Sequence, residues 1–122
     1  MLLAEDDREL RRLLASVLRK GGLEVVEVED GGRLMELVAR ALFSDTGYRP
    51  PDVIVSDIRM PGFTGLEVLE GLRATDRSTP VILITAFGDE ETEDEAFRLG
   101  ANALLSKPFD PKDLRARIEA LL

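Results

Sequence analysis

The 122-residue chain, with 44% apolar and 33% charged residues, has the length and balance of one globular domain spanning residues 1–122, and excludes a disordered or fibrous protein. It holds neither cysteine nor histidine, which excludes disulfides and thiolate metal sites and argues against zinc. A net charge of −8 argues against direct nucleic-acid binding; no apolar run approaches about 20 residues and the start, Met1-Leu2-Leu3-Ala4, runs straight into acids without a basic leader, so the expectation is a cytoplasmic protein without a membrane partner.

In chain order, Leu2–Ala4 is a short apolar run and predicts the first strand. Leu10, Leu13, Leu14, Val17 and Leu18 follow at i, i+3, i+4, i+7 and i+8, the spacing of one helical face, and Gly21-Gly22 stops that helix. Val25–Val28 predicts the second strand, and Leu34, Leu37, Val38, Ala41 and Leu42 the second helix. The stretch from Phe43 to Pro51, rich in turn formers and closed by two prolines, reads as a long exposed loop. Val53–Val55 then predicts the third strand, and Leu66, Leu69 and Leu72 mark the third helix. Val81–Ile84 predicts the fourth strand, and a helix from about Glu90 to Leu99 stops at Gly100. Ala103–Leu105 predicts the fifth strand. The last helix opens with Asp110 as N-cap, Pro111 at its first position and Asp113 at its third, and buries Leu114, Ile118 and Leu121.

Five strands alternating with five helices predict an α/β fold, a doubly wound parallel sheet covered on both faces, and the nearly all-apolar strands agree with that burial. Right-handed crossovers leave few strand orders, of which the flavodoxin-like 2-1-3-4-5 is a common one. In that order the ends of strands 1 and 3 are neighbours.

Open α/β sheets bind ligands beyond the carboxyl ends of their strands. The residues there are Glu5, Asp6 and Asp7 after strand 1, Asp57 after strand 3, Thr85 and Ala86 after strand 4, and Lys107 after strand 5. Taken singly, each has a plainer reading: acids at a helix N-terminus, a turn-forming Asp, a β-branched strand residue and a solvated lysine. Together they place acids, a hydroxyl and an amine on one rim. Crowded carboxylates repel one another unless a cation neutralises them, and Mg²⁺ suits a hard-oxygen site that keeps several waters and bridges to phosphate. Phosphoryl transfer needs mainly positioning and charge stabilisation, which such a set can supply.

Four segments then carry a family resemblance: Leu2-Leu3-Ala4-Glu5-Asp6-Asp7; Asp57-Ile58-Arg59-Met60-Pro61-Gly62 with Gly65-Leu66-Glu67; Thr85-Ala86-Phe87-Gly88-Asp89; and Gly100-Ala101 with Lys107-Pro108-Phe109. In this order and spacing the chain resembles, over essentially its whole length, the receiver domains of bacterial two-component response regulators. In wording it is closest to receivers of transcriptional activators. The resemblance implies that Asp57 is the phosphoacceptor, that Asp6 and Asp57 bind Mg²⁺ directly, that Glu5 contributes, often through water, and that the Arg59 carbonyl completes the protein ligands. Asp7 ranks below Glu5 and Asp6. The resemblance further implies that Thr85 senses the phosphoryl group, with the Ala86 amide nearby, that Lys107 pairs with a phosphoryl oxygen, and that the Lys107-Pro108 bond is cis, against the trans default.

The implied function is a signalling switch that catalyses only its own phosphorylation and dephosphorylation. A sensor histidine kinase or phosphotransfer protein supplies the phosphoryl group, and the fourth helix, fifth strand and fifth helix relay the change to an output domain or partner, with a homodimer formed on phosphorylation as a further expectation. Two features depart from the family: Leu104 stands where an aromatic residue is usual, and the link around Ser44 to Pro51 is long. The acidic run Asp89-Glu90-Glu91 with Glu93, Asp94 and Glu95 reads as a solvated helix start, or as a surface for basic partners. A flavodoxin-like cofactor carrier is disfavoured by acids where a phosphate loop would lie. A hydrolase of the haloacid dehalogenase type is disfavoured by Arg59, where a second Asp is expected. A phosphorylation-independent adaptor is disfavoured by the filled site positions.

Overall fold

Runs of apolar residues that are buried from both sides organise the chain into a sheet between two layers of helices. The computed structural model describes residues 1–43, 50–86 and 88–122. Its elements are β1 (Leu2–Ala4), α1 (Arg8–Lys20), β2 (Val26–Val28), α2 (Gly31–Phe43), β3 (Ile54–Asp57), α3 (Gly65–Arg73), β4 (Val81–Thr85), α4 (Glu90–Arg98), β5 (Ala103–Ser106) and α5 (Pro111–Leu121). The five strands pair in parallel in the order β2-β1-β3-β4-β5, so the predicted fold class and strand order both hold. Most of the predicted link after Phe43 lies outside the described residues.

Side-chain alternation splits the core in two. Leu3, Val55, Ile82, Ile84 and Leu105 face Leu14 and Leu18 of α1 and Leu114 and Ile118 of α5. Leu2, Ala4, Ile54 and Leu83 face Leu34 and Val38 of α2, Val68, Leu69 and Leu72 of α3, and Ala96 of α4. Among the described residues no helix is long and apolar enough to cross a membrane.

Several boundaries differ from expectation. β3 runs on to Asp57, β4 to Thr85 and β5 to Ser106, because parallel ladders continue past the apolar run. Phe43 ends α2 instead of opening a loop. Leu13, expected on the buried stripe of α1, is 53% exposed, and Ala15 is buried in its stead. Asp110 caps α5 as predicted, accepting from Lys112 N at 2.9 Å.

The turn into β4 is built on Asp76. Its carboxylate accepts hydrogen bonds from the backbone N–H and hydroxyl of both Ser78 and Thr79. Burial alone would raise this carboxyl, but these bonds, led by the Thr79 hydroxyl, outweigh it and hold the pKa at about 2 against an ordinary 3.8. A depressed folded-state value gives stability that is full above the unfolded pKa and is lost as pH falls through the folded one. Stability is therefore expected to drop between about pH 4 and pH 2, and Asp76→Asn to flatten that drop in thermal unfolding scans.

Candidate functional site

The carboxyl ends of β1, β3, β4 and β5 form one rim, and each strand delivers a polar group to it. Glu5 follows β1 directly and is held by its backbone: its N–H donates to Val28 O at 3.0 Å and its carbonyl accepts from Arg11 Nη1 at 2.8 Å. Its side chain is fully buried. Asp57 ends β3 and is also buried. The chain then turns so that Arg59 N donates to Asp57 Oδ1 at 3.2 Å and Gly65 N to Ile58 O at 2.8 Å.

Lys107 reaches in from the end of β5. Its Nζ donates to Asp57 Oδ2 at 2.7 Å and to Glu5 Oε1 and Oε2 at 3.2 and 3.3 Å. The backbone supports that placement, with Lys107 N donating to Thr85 O at 2.8 Å, and the Lys107–Pro108 peptide is cis. Thr85 ends β4 and is buried, while Ala86 beside it is exposed.

Glu5, Asp6 and Asp57 each offer a carboxylate oxygen within 4.8 Å of the others. Asp6 is exposed, and with Arg59, Met60, Pro61 and Thr64 it lines a shallow opening beside the buried pair. Asp7 does not join the group. Its side chain turns out to cap α1, with Oδ1 accepting from Glu9 N and Leu10 N at 3.0 and 3.2 Å. The three acids after β1 thus differ in position, and of them it is Asp7 that caps the helix. In the same way Asp89 caps α4, accepting from Thr92 N, and the acids that follow it on α4 are exposed.

Electrostatics mark the cluster as strained in its charge. Burial, then the hydrogen bond and charge of Asp57, push the Glu5 carboxyl up to about 7, against the downward pull of Lys107. Burial also penalises the Lys107 ammonium, but hydrogen bonding to Asp57 and the charges of Asp57 and Glu5 outweigh it and hold its pKa above the ordinary value. One ammonium against three carboxylates leaves negative charge to be balanced. An all-oxygen donor set of this kind, open to water at Asp6, fits a small hard cation such as Mg²⁺.

Reasoning from the sequence overlooked two supports. Arg11 ties α1 to the Glu5 carbonyl, and Gly65 lies so close to the end of β3 that a Cβ there would stand 2.5 Å from the Asp57 carbonyl oxygen. Neither leaves a trace in hydrophobic periodicity, although Gly65 stands inside one of the recognised motifs.

Residues 1–119 match the family described as response regulator receiver domain. The chain is 37% identical over 122 residues to the transcriptional regulatory protein CpxR of Escherichia coli, covering 100% of this chain and 48% of that protein. It is 42% identical over 113 residues to the C4-dicarboxylate transport transcriptional regulatory protein DctD of Pseudomonas aeruginosa, covering 93% of this chain and 22% of that one. It therefore spans half or less of the length of these relatives. Among solved structures, the Francisella response regulator 1452 receiver domain superposes with a TM-score of 0.85 at 29% identity, covering 98% of this chain and 93% of that one. Chemotaxis protein CheY4 of Vibrio cholerae does so with a TM-score of 0.81 at 29% identity, covering 99% and 96%. Family match, fold and acidic rim agree, and the chain belongs to the receiver domain family of two-component response regulators, whose general role is phosphorylation-dependent switching.

Proposed function

We propose that this chain is a Mg²⁺-dependent phosphorylation switch in which Asp57 accepts the phosphoryl group. The observation that carries the reading is the setting of Asp57: a buried carboxylate at a strand end, 2.7 Å from Lys107 Nζ, with Glu5 and Asp6 within 4.8 Å. Asp6 and Asp57 would hold Mg²⁺ directly, with the Arg59 carbonyl and, through water, Glu5. Bound there, the ion supplies positive charge that offsets repulsion between Asp57 and an anionic donor and steadies the phosphoryl oxygens.

A carboxylate oxygen of Asp57 attacks phosphorus in line, an O–P bond forms, and the bond to the donor breaks with its electron pair leaving on the donor atom. The donor is a phosphohistidine of a sensor kinase or phosphotransfer protein. Lys107 leaves its contact with the free carboxylate for a phosphoryl oxygen, and the Thr85 hydroxyl and Ala86 amide meet the others. The new charge biases the face formed by α4, β5 and α5 between two states. The relatives named as transcriptional regulators, CpxR and DctD, are at least twice as long, which supports an output domain or protein partner as the receiver of that change.

Incubation with a small acyl phosphate tests the reading. Intact mass is expected to rise by one phosphoryl group with Mg²⁺ and to stay unchanged with EDTA, and equal labelling under both conditions contradicts the metal requirement.

The ligand set makes a second prediction. Asp6→Asn is expected to weaken Mg²⁺ binding roughly tenfold or more and to slow phosphorylation, because it removes a direct charge from the cation. Asp7→Asn is expected to leave Mg²⁺ binding nearly unchanged, since asparagine also caps helices well. Calorimetric titration of the two variants with Mg²⁺ compares them, and equal losses contradict the assignment.

A further inference from the structure

The parallel register of β4 and β5 pairs Leu83 with Leu104 and Thr85 with Ser106. Alternation puts all four side chains on the sheet face that α4 covers, where Leu83 and Leu104 pack in one cluster with Ala96. Thr85 and Ser106 therefore end that face side by side, at the rim. Leu104 is held there by packing and carries no polar atom.

Position 88 closes this corner. A Cβ added to Gly88 would collide with Ser106 Oγ, stand 3.1 Å from Ser106 Cβ and lie 3.9 Å from Thr85 Cγ2. Ser106 thus sits beside the site threonine and against the backbone of the segment that leads into α4, one residue before the Asp89 cap. Of the residues of α4 itself only Ala96 is buried, so few core contacts oppose movement of its first turn.

We propose that Ser106 relays the switch, passing displacement of Thr85 to Gly88 and the start of α4 in place of an aromatic residue at position 104. The inference rests on Asp57 accepting the phosphoryl group and on Thr85 meeting it. When the Thr85 side chain moves toward the phosphoryl group it vacates space beside Ser106. The serine side chain follows into that space, and the Gly88-Asp89 segment, packed against its hydroxyl, shifts with it. Glycine at 88 keeps the segment close enough to Ser106 to feel that change.

Amide hydrogen exchange over residues 88–98, with and without acyl phosphate and Mg²⁺, tests the relay, with intact mass counting phosphoryl groups in each sample. Ser106→Ala is expected to be labelled as fully as wild type but to show less than half of its phosphorylation-induced exchange change. Gly88→Ala is expected to show altered exchange at the start of α4 before phosphorylation, and adding Ser106→Gly to restore the wild-type pattern by removing the colliding atom. A labelled Ser106→Ala with the full exchange change overturns the relay, as does a Gly88→Ala defect that Ser106→Gly does not relieve. A wild-type chain that gains no phosphoryl group instead removes the reading on which the relay rests.

Discussion

Asp57→Ala is expected to accept no phosphoryl group from an acyl phosphate and Mg²⁺, and to lose nothing in folding. Asp57 ends β3, and its side chain contacts Lys107 and the Arg59 amide. Truncation leaves the ammonium paired with Glu5 at 3.2 Å, so no buried cation is orphaned. It also removes one of two buried carboxylates, the neighbour that adds to burial in raising the Glu5 pKa. Without Mg²⁺ the variant should therefore unfold at the same or a higher denaturant concentration than wild type, while its intact mass stays constant. A variant that is folded and still labelled would move the acceptor to another acid.

Gly31→Ala is expected to be the most damaging small substitution away from the acids. Gly31 opens α2, and its N–H donates to Pro61 O at 3.0 Å. A Cβ there would collide with the Phe63 carbonyl oxygen and lie 2.6 and 2.8 Å from Phe63 C and N. These are backbone atoms, which cannot rotate away as a side chain can. The close approach is reciprocal: Gly62 has a φ of +85°, and a Cβ on it would stand 2.9 Å from Gly32 N. The contact docks the loop carrying Arg59 onto α2, so a methyl group must push the loop off the helix. Overpacking of this kind costs about 3 kcal/mol, at the upper end of the usual range. The displaced loop would also carry the Arg59 carbonyl with it, weakening Mg²⁺ binding. Urea unfolding and Mg²⁺ titration measure the two effects, and a loss below about 0.5 kcal/mol would mean that the loop relaxes freely.

What was legible in the chain follows from how each feature is encoded. Strand and helix order is written in apolar periodicity, and the buried strands left only a few parallel topologies to choose from. The convergence of Glu5, Asp6, Asp57 and Lys107 on one rim could be anticipated because a strand end fixes where the next residue lies. The reverse holds for features set by close approach. Nothing in the Gly31-Gly32 pair shows that it docks against residues 62–63, and nothing in Ser106 shows that it abuts Gly88. Leu13 misled because periodicity marks a face without saying how wide a stripe the sheet covers. Asp7 could not be separated from Asp6 by residue type, since the two differ only in whether the chain has already turned into α1.

The account stands most directly on where the phosphoryl group is attached. An aspartyl phosphate is a mixed anhydride that borohydride reduces to an alcohol, which converts the modified aspartate to homoserine and leaves free carboxylates untouched. Wild-type chain labelled with acyl phosphate and Mg²⁺, reduced, digested and sequenced by mass spectrometry should carry homoserine at position 57 and at no other acid. Homoserine at position 6 or 7, or its absence from a chain that has gained phosphoryl mass, would contradict the assignment of Asp57 as the acceptor.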